Sequence, residues 1–304
     1  MPPTLILDCD PGIDDAIALH VIAAAVRNGD LHLAGIVAAA GNVPIDMTAR
    51  NAAFLRGRLA LDAPVYRGIN RDTGIDAHDF HGADGLGGCY EPGHADHETG
   101  DGIAWMIEQA HTAAASGSPL TILAVGPLTN VAAALRAEPR LPQLVAGVVV
   151  MGGAFQQPGN ITQFAEFNFY ADANAAADVF ESALPLTVIP LDVTHQVLID
   201  DADVDALEQH TGAPTLATRL LRASIACYRK AEGREACIMH DALAAAAVLH
   251  PNLVTTTTSR IAITRKGPES GRSQAAADPT STASVAHGVD VASARRLLLD
   301  ALSG

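Results

Sequence analysis

The order of the apolar segments restricts this chain most: runs of strand length alternate with stretches patterned as helices. Residues 4–7, 31–40, 63–66, 120–125, 145–151 and 186–191 read as strands. Helical patterns fall between them at about 14–27, 46–60, 101–115, 129–137 and 174–182. From there to His250 the chain reads as mostly helical, followed by a β-rich stretch at 253–264, a polar loop over 265–279 and a last helix near 291–302. Such alternation predicts an α/β fold, with a mixed, mainly parallel sheet covered by helices on both faces. With 304 residues, 49% of them hydrophobic, and no internal repeat, residues 1–304 are expected to form a single domain. Sheets of this kind bind ligands beyond the carboxyl ends of their strands, so the chemistry should follow the apolar runs.

The formal net charge of −15 disfavours nucleic acid as a partner and suits a neutral substrate or a cation. The first ten residues lack the basic n-region and the apolar length of a signal peptide. No stretch approaches the roughly 20 apolar residues of a membrane span. A cytoplasmic protein is therefore expected. Cys9, Cys89, Cys227 and Cys237 have neither CxxC nor framework spacing and read as structural thiols. The carboxylates around Cys9 should raise its pKa.

At the end of the first apolar run stand Asp8, Asp10, Asp14 and Asp15, four carboxylates within eight residues. Pro11 and Gly12 make the turn between strand and helix. Four such groups cannot all ionise without a cation or strong donors, and hard oxygen ligands select Ca²⁺ or Mg²⁺ over zinc. A helix cap with solvated surface acids is the plainer alternative. The Asp8–Asp10 pair also suits a magnesium phosphohydrolase of the haloacid dehalogenase type. That pattern wants a hydroxyl residue after the second aspartate, where this chain has Pro11-Gly12, and basic phosphate ligands, and the motifs carry no lysine. There is no P-loop.

Further motifs follow in order. They are Gly41-Asn42, His81-Gly82, Gly126-Pro127-Leu128-Thr129-Asn130, Met151-Gly152-Gly153, Gly159-Asn160, Ala165-Glu166-Phe167-Asn168, Leu191-Asp192-Val193-Thr194 and His240-Asp241. Together with Asp8-Cys9-Asp10-Pro11-Gly12-Ile13-Asp14-Asp15 this series resembles the inosine–uridine-preferring nucleoside hydrolases over nearly the whole chain. The resemblance implies a Rossmann-like core, a homodimer or homotetramer, and calcium-dependent cleavage of the bond between ribose and nucleobase.

Carried over position by position, the resemblance makes Asp10, Asp15, Asp241 and the carbonyl of Val125 the protein ligands of Ca²⁺. Asp10 would also be the general base, taking a proton from a water whose pKa the cation lowers. Asp14, Asn42, Asn160, Glu166 and Asn168 would hold the ribose. Glu166 and Asn168, two apart, should face the same side if the segment is extended. Met151 and Phe167 would pack against sugar and base.

A departing base leaves better if protonated, and His240 matches the family's proposed acid. His81 matches a second histidine on the base side, and Tyr228, on a helix upstream, could border the base. Asp79, Asp84 and the stretch from His94 to His97 read as solvated loop residues. The two histidines favour an inosine–uridine or pyrimidine preference over a strictly purine-specific one, which would use tryptophans. The single tryptophan, Trp105, reads as core within a helix. Where the family usually has His-Asp-Pro this chain has His240-Asp241-Ala242, and alanine is also a good helix former. A calcium-bound nucleoside or sugar sensor without turnover is the non-enzymatic alternative. It would be expected to have lost Asp10 or the acid, and both are present.

Overall fold

Leu5 and Leu7 of the first strand, β1 (Thr4–Cys9), sit in one buried cluster and Ile6 in another. Successive side chains point to opposite faces of a sheet, and here both faces are covered, so the run is apolar throughout rather than alternating. The computed structural model describes residues 2–71, 74–93 and 97–304. Its strands continue as β2 (His32–Ala38), β3 (Val65–Arg67), β4 (Leu120–Ala124), β5 (Gly147–Met151), β6 (Leu186–Ile189), β7 (Leu198–Asp200), β8 (Ala236–Ile238), β9 (Val254–Ile263), β10 (Ser273–Ala277) and β11 (Ala283–Val289). The helices are α1 (Ile13–Asn28), α2 (Ile45–Arg58), α3 (His78–His81), α4 (Gly102–Ser116), α5 (Thr129–Ala137), α6 (Leu141–Leu144), α7 (Phe167–Ala171), α8 (Ala173–Phe180), α9 (Leu191–Thr194), α10 (Asp201–Thr211), α11 (Leu216–Glu232), α12 (His240–Leu249) and α13 (Val291–Leu302).

The main sheet runs β10-β9-β11-β6-β5-β4-β1-β2-β3. From β3 to β6 all pairs are parallel, in the order 3-2-1-4-5-6 of a doubly wound Rossmann-type sheet. β11 joins β6 in parallel, and β9 and β10 add antiparallel pairs. Helices α1, α11, α12 and α13 bury their apolar sides against one face, and α4, α5 and α8 against the other. The order reverses between β1 and β4, which opens a crevice at the carboxyl ends of those two strands.

Two expectations need correction. The polar 265–279 stretch contains β10, which pairs from Ser273↔Ile263 to Ala277↔Ser259. Its sequence, Ser-Gln-Ala-Ala-Ala, has no β-branched or aromatic residue, so only its partner β9 makes it a strand. β11 also lies in the region read as loop before the last helix. The stretch before His250 is mostly helical, as read, and also carries β7 and β8, which form a two-stranded antiparallel sheet. Among its described residues the long stretch over 68–100 carries a short helix, α3. His94 lies outside the described residues.

Candidate active site

Each turn at the carboxyl end of the sheet delivers polar groups to the crevice. After β1 the chain passes through Asp10-Pro11-Gly12 into α1. The Asp15 carboxylate folds back over this turn, accepting from Gly12 N–H (2.9 Å) and Asp10 N–H (3.1 Å). From the turn after β2, Asn42 donates its side-chain amide to Asp15 Oδ2 (2.9 Å) and to the Asp10 carbonyl (3.1 Å). Its backbone N–H donates to Asp10 Oδ2 (2.7 Å). The Asp10 carboxylate is wedged between two glycines. A Cβ on Gly41 would lie 2.0 Å from Oδ2, and one on Gly126 2.4 Å from Oδ1. Asp10 Oδ1 is buried with no hydrogen-bond partner, as are Asp8 Oδ2 and Asp14 Oδ1. Asp8 accepts from Asn130 Nδ2 (2.7 Å) through its other oxygen.

Carboxylate oxygens of Asp14, Asp15 and Asp241 lie within 4.8 Å of one another. Asp241 comes from the first turn of α12. Burial first, then the charge of Asp14, pushes the Asp15 pKa up to about 8. Burial and neighbouring carboxylates likewise push Asp10 and Asp241 well above the usual range, and burial takes Asp8 to about 7. Acids this crowded bind protons unless a cation replaces them. The donor set is hard oxygen, and Asp8, Asp10 and Asp14 each leave a buried carboxylate oxygen without a partner, so these residues fit a hard divalent cation. Asp10 is outside the close trio and Asp14 is inside it. The Val125 carbonyl accepts from Asn168 Nδ2 (2.9 Å), and a carbonyl oxygen has a second lone pair.

Above this floor opens a cavity of about 750 Å³. Asp14, Asn42, Val125, Met151, Glu166 and Asn168 line it, as do Asn160 and Phe167. The Glu166–Asn168 segment is not extended, which corrects the sequence reading. Glu166 caps α7, and Asn168 lies in its first turn. The Glu166 carboxylate accepts from the N–H groups of Asn168 (2.7 Å), Gly153 (3.0 Å) and Phe169 (3.2 Å). Burial still raises its pKa to about 7. Asn168 Nδ2 also donates to the Met151 carbonyl (3.1 Å), which leaves Oδ1 as the free end of that amide. Asn160 is more exposed and accepts from Phe167 N–H (2.9 Å).

His81, Tyr228 and His240 line the same cavity. The backbone N–H of Ile13 donates to His81 Nδ1 (3.1 Å), so the neutral ring carries its proton on Nε2. Burial lowers the His81 pKa, and lowers that of His240 to about 4. His240 Nδ1 pairs with Thr194 Oγ1 (2.8 Å) and Nε2 with the Tyr228 hydroxyl (3.0 Å). Phe80 sets its ring edge-on to Tyr228, with centroids 5.0 Å apart.

The sequence reading gave no role to Thr194, Asn130, Phe80, His195 or Arg234. Thr194 and Asn130 stand inside motifs already singled out, so their signal was available. His195 and Arg234 line the cavity through tertiary contact alone. Trp105 packs in α4 against Tyr66 (4.9 Å), away from the cavity lining. Burial, more than the neighbouring carboxylates, raises the Cys9 pKa. Asp84 is more than a solvated residue: burial opposes ionisation, yet the N–H groups of Gly88, Leu86 and Tyr90 hold its pKa below the usual value.

The family model described as inosine-uridine preferring nucleoside hydrolase matches residues 5–296. An uncharacterized protein of Schizosaccharomyces pombe is 37% identical over 259 residues, covering 82% of this chain and 81% of that one. The pyrimidine-specific ribonucleoside hydrolase RihB of Escherichia coli is 34% identical over 258 residues, covering 83% and 80%. Among solved structures, the purine-preferring ribonucleoside hydrolase from Gardnerella vaginalis superposes with a TM-score of 0.90 at 29% identity, covering 99% of this chain and 98% of that one.

Proposed function

Because the chain belongs to the inosine-uridine preferring nucleoside hydrolase family, and is thus a hydrolase acting on nucleosides, we propose that it cleaves ribonucleosides to ribose and free base with a calcium ion at the acidic floor. One observation carries this reading: the carboxylates of half-buried Asp14 and buried Asp15 and Asp241 cluster together, and Asp14 and Asp241 line a cavity that two buried histidines also line.

Asp10, Asp15, Asp241 and the Val125 carbonyl would hold the cation, with Asp14 close enough to join them. When bound, the cation would lower the pKa of a nearby water and fix the ribose diol. Asp10 Oδ1, the unpartnered oxygen, accepts the proton of the attacking water. Asp14, Asn42, Asn160 and Asn168 hold the sugar hydroxyls. Met151 supports the ring, and Phe167 packs near the base. Glu166 has both oxygens on backbone N–H groups, so it acts on the sugar chiefly through the loop it fixes and through its negative charge.

As the glycosidic bond breaks, the base nitrogen takes a proton. The Tyr228 hydroxyl supplies it and is left as a phenolate held by the Nε2–H of neutral His240, and His81 offers its Nε2–H to the base. Both rings are neutral at pH 7, because burial lowers their pKa values. The polar base side and the remote Trp105 support an inosine–uridine or pyrimidine preference over a strictly purine-specific one.

We further propose that residues 1–304 form one domain, that the protein acts in the cytoplasm and that it assembles as a homodimer or homotetramer, which light scattering would measure. Among the described residues no helix is long and apolar enough to cross a membrane. The deciding experiment is ribose release from inosine, adenosine, guanosine, uridine and cytidine, with and without a chelator. Release that stops on chelation and returns with Ca²⁺ is expected. Release indifferent to chelation would remove the metal from the reading.

A further inference from the structure

We propose that Asn51 is a positioning residue: it locks the Asp10–Asp15 turn to the segment that follows His81, and so sets the placement and tautomer of His81. Asn51 belongs to α2, which lends no side chain to the cavity, yet it is fully buried. Its amide donates to the Pro11 carbonyl (3.1 Å) and to the Asp84 carbonyl (2.9 Å). One side chain thus joins the acidic turn to the loop beyond His81.

Both joined segments are stiff. The Asp84 carboxylate accepts from Leu86, Gly88 and Tyr90 N–H, and Gly87 N–H donates back to the His81 carbonyl (2.8 Å). Arg50 lies over the Tyr90 ring at 4.0 Å and donates to both the Asp84 carbonyl (3.1 Å) and Asn51 Oδ1 (3.0 Å). A Cβ on Gly85 would come within 2.8 Å of Asn51 Nδ2, so the loop rests directly on the amide.

On the other side, Pro11 is two residues from Ile13, whose N–H donates to His81 Nδ1. The link therefore closes a circuit from Asn51 through Pro11, Ile13, His81 and Asp84 back to Asn51. An apolar side chain of the same volume would fill the space, but would leave the Pro11 carbonyl without its donor and the Asp84 carbonyl with Arg50 alone. Small misplacements of a positioned group can cost about a hundredfold in rate.

The inference rests on the reading of His81 as the base-side donor, and the test separates the two. His81 is observed by nitrogen NMR of histidine-labelled protein, its signal assigned with His81→Gln. In the wild type it should be the Nε2–H tautomer. Asn51→Asp keeps the shape but removes the donors, and Asn51→Ser covers the case in which Asp does not fold. Leu55→Val, on the same helix, controls for lost stability. In either folded Asn51 variant we expect the His81 signal to shift toward mixed tautomers and kcat for inosine to fall at least about tenfold. Leu55→Val should leave both unchanged. Wild-type kcat and an unchanged His81 signal in a folded Asn51 variant would reduce Asn51 to core packing. If the wild type releases no ribose at all, the hydrolysis reading fails, and the tautomer still decides the role of Asn51.

Discussion

Asp10 illustrates how much of a side chain's chemistry is set by what cannot be near it. Glycines at 41 and 126 let the carboxylate sit where any larger residue would collide, and one oxygen is left bare. Asp10→Ala should lower turnover by about a thousandfold or more, the scale of a lost general base. Circular dichroism should remain unchanged. A variant with near-normal rates would end the assignment. His240 has both ring nitrogens on hydroxyls, Thr194 and Tyr228. His240→Ala should therefore impair inosine far more than an activated p-nitrophenyl riboside, and Tyr228→Phe should show the same bias. Equal losses on both substrates would mean that the pair does not serve the leaving group.

At the scale of elements, the site is a set of strand ends with short, exact turns. The β4–α5 turn illustrates this: a methyl group on Gly126 would lie 2.4 Å from Asp10 Oδ1, inside its space. Gly126→Ala should abolish calcium binding measured by calorimetry while leaving helix content intact. Retained binding would show that the carboxylate has another place to go. The late strand β10 is tied to the turn after β5 by Ser273, whose Oγ accepts from Ala154 N–H (3.0 Å) and donates to the Ala154 carbonyl (2.9 Å). Ser273→Ala should cost about 1–3 kcal/mol, the usual penalty for a buried unpaired group. The denaturation midpoint measures it, and an unchanged midpoint would mean that water replaces the hydroxyl.

For the whole molecule, the acidic floor couples stability to pH and to metal. Asp15 has its folded pKa raised to about 8 from an ordinary 3.8. A raised folded pKa favours the native state at low pH, and that contribution is lost as pH rises through the folded value. Without metal, the melting temperature should therefore fall between about pH 4 and pH 8. With Ca²⁺ the carboxylates are neutralised while ionised, so stabilisation by the ion should grow over the same range. Thermal unfolding with and without chelator reads both slopes. Parallel curves would show that the cluster binds no cation.

The sequence by itself determined the parallel core and where its chemistry would lie. Continuous apolar runs mark strands buried on both faces, and the carboxylates, asparagines and histidines follow their ends. Asp10 was legible from the spacing of carboxylates at a strand end, whereas Asn42, His81 and Asp241 were singled out through the resemblance of their motifs to the family. The tertiary structure alone decided what long-range contact makes. β10 is a strand because β9 accepts it, and the Glu166 carboxylate is held to the turn after β5 by the Gly153 N–H. Asp14 joins the trio through α12, and Asn51 reaches the site through two carbonyls far from it in sequence. Local patterns carry periodicity and turn chemistry; hydrogen bonds between distant segments leave no periodic trace, so they emerge only when the chain is folded.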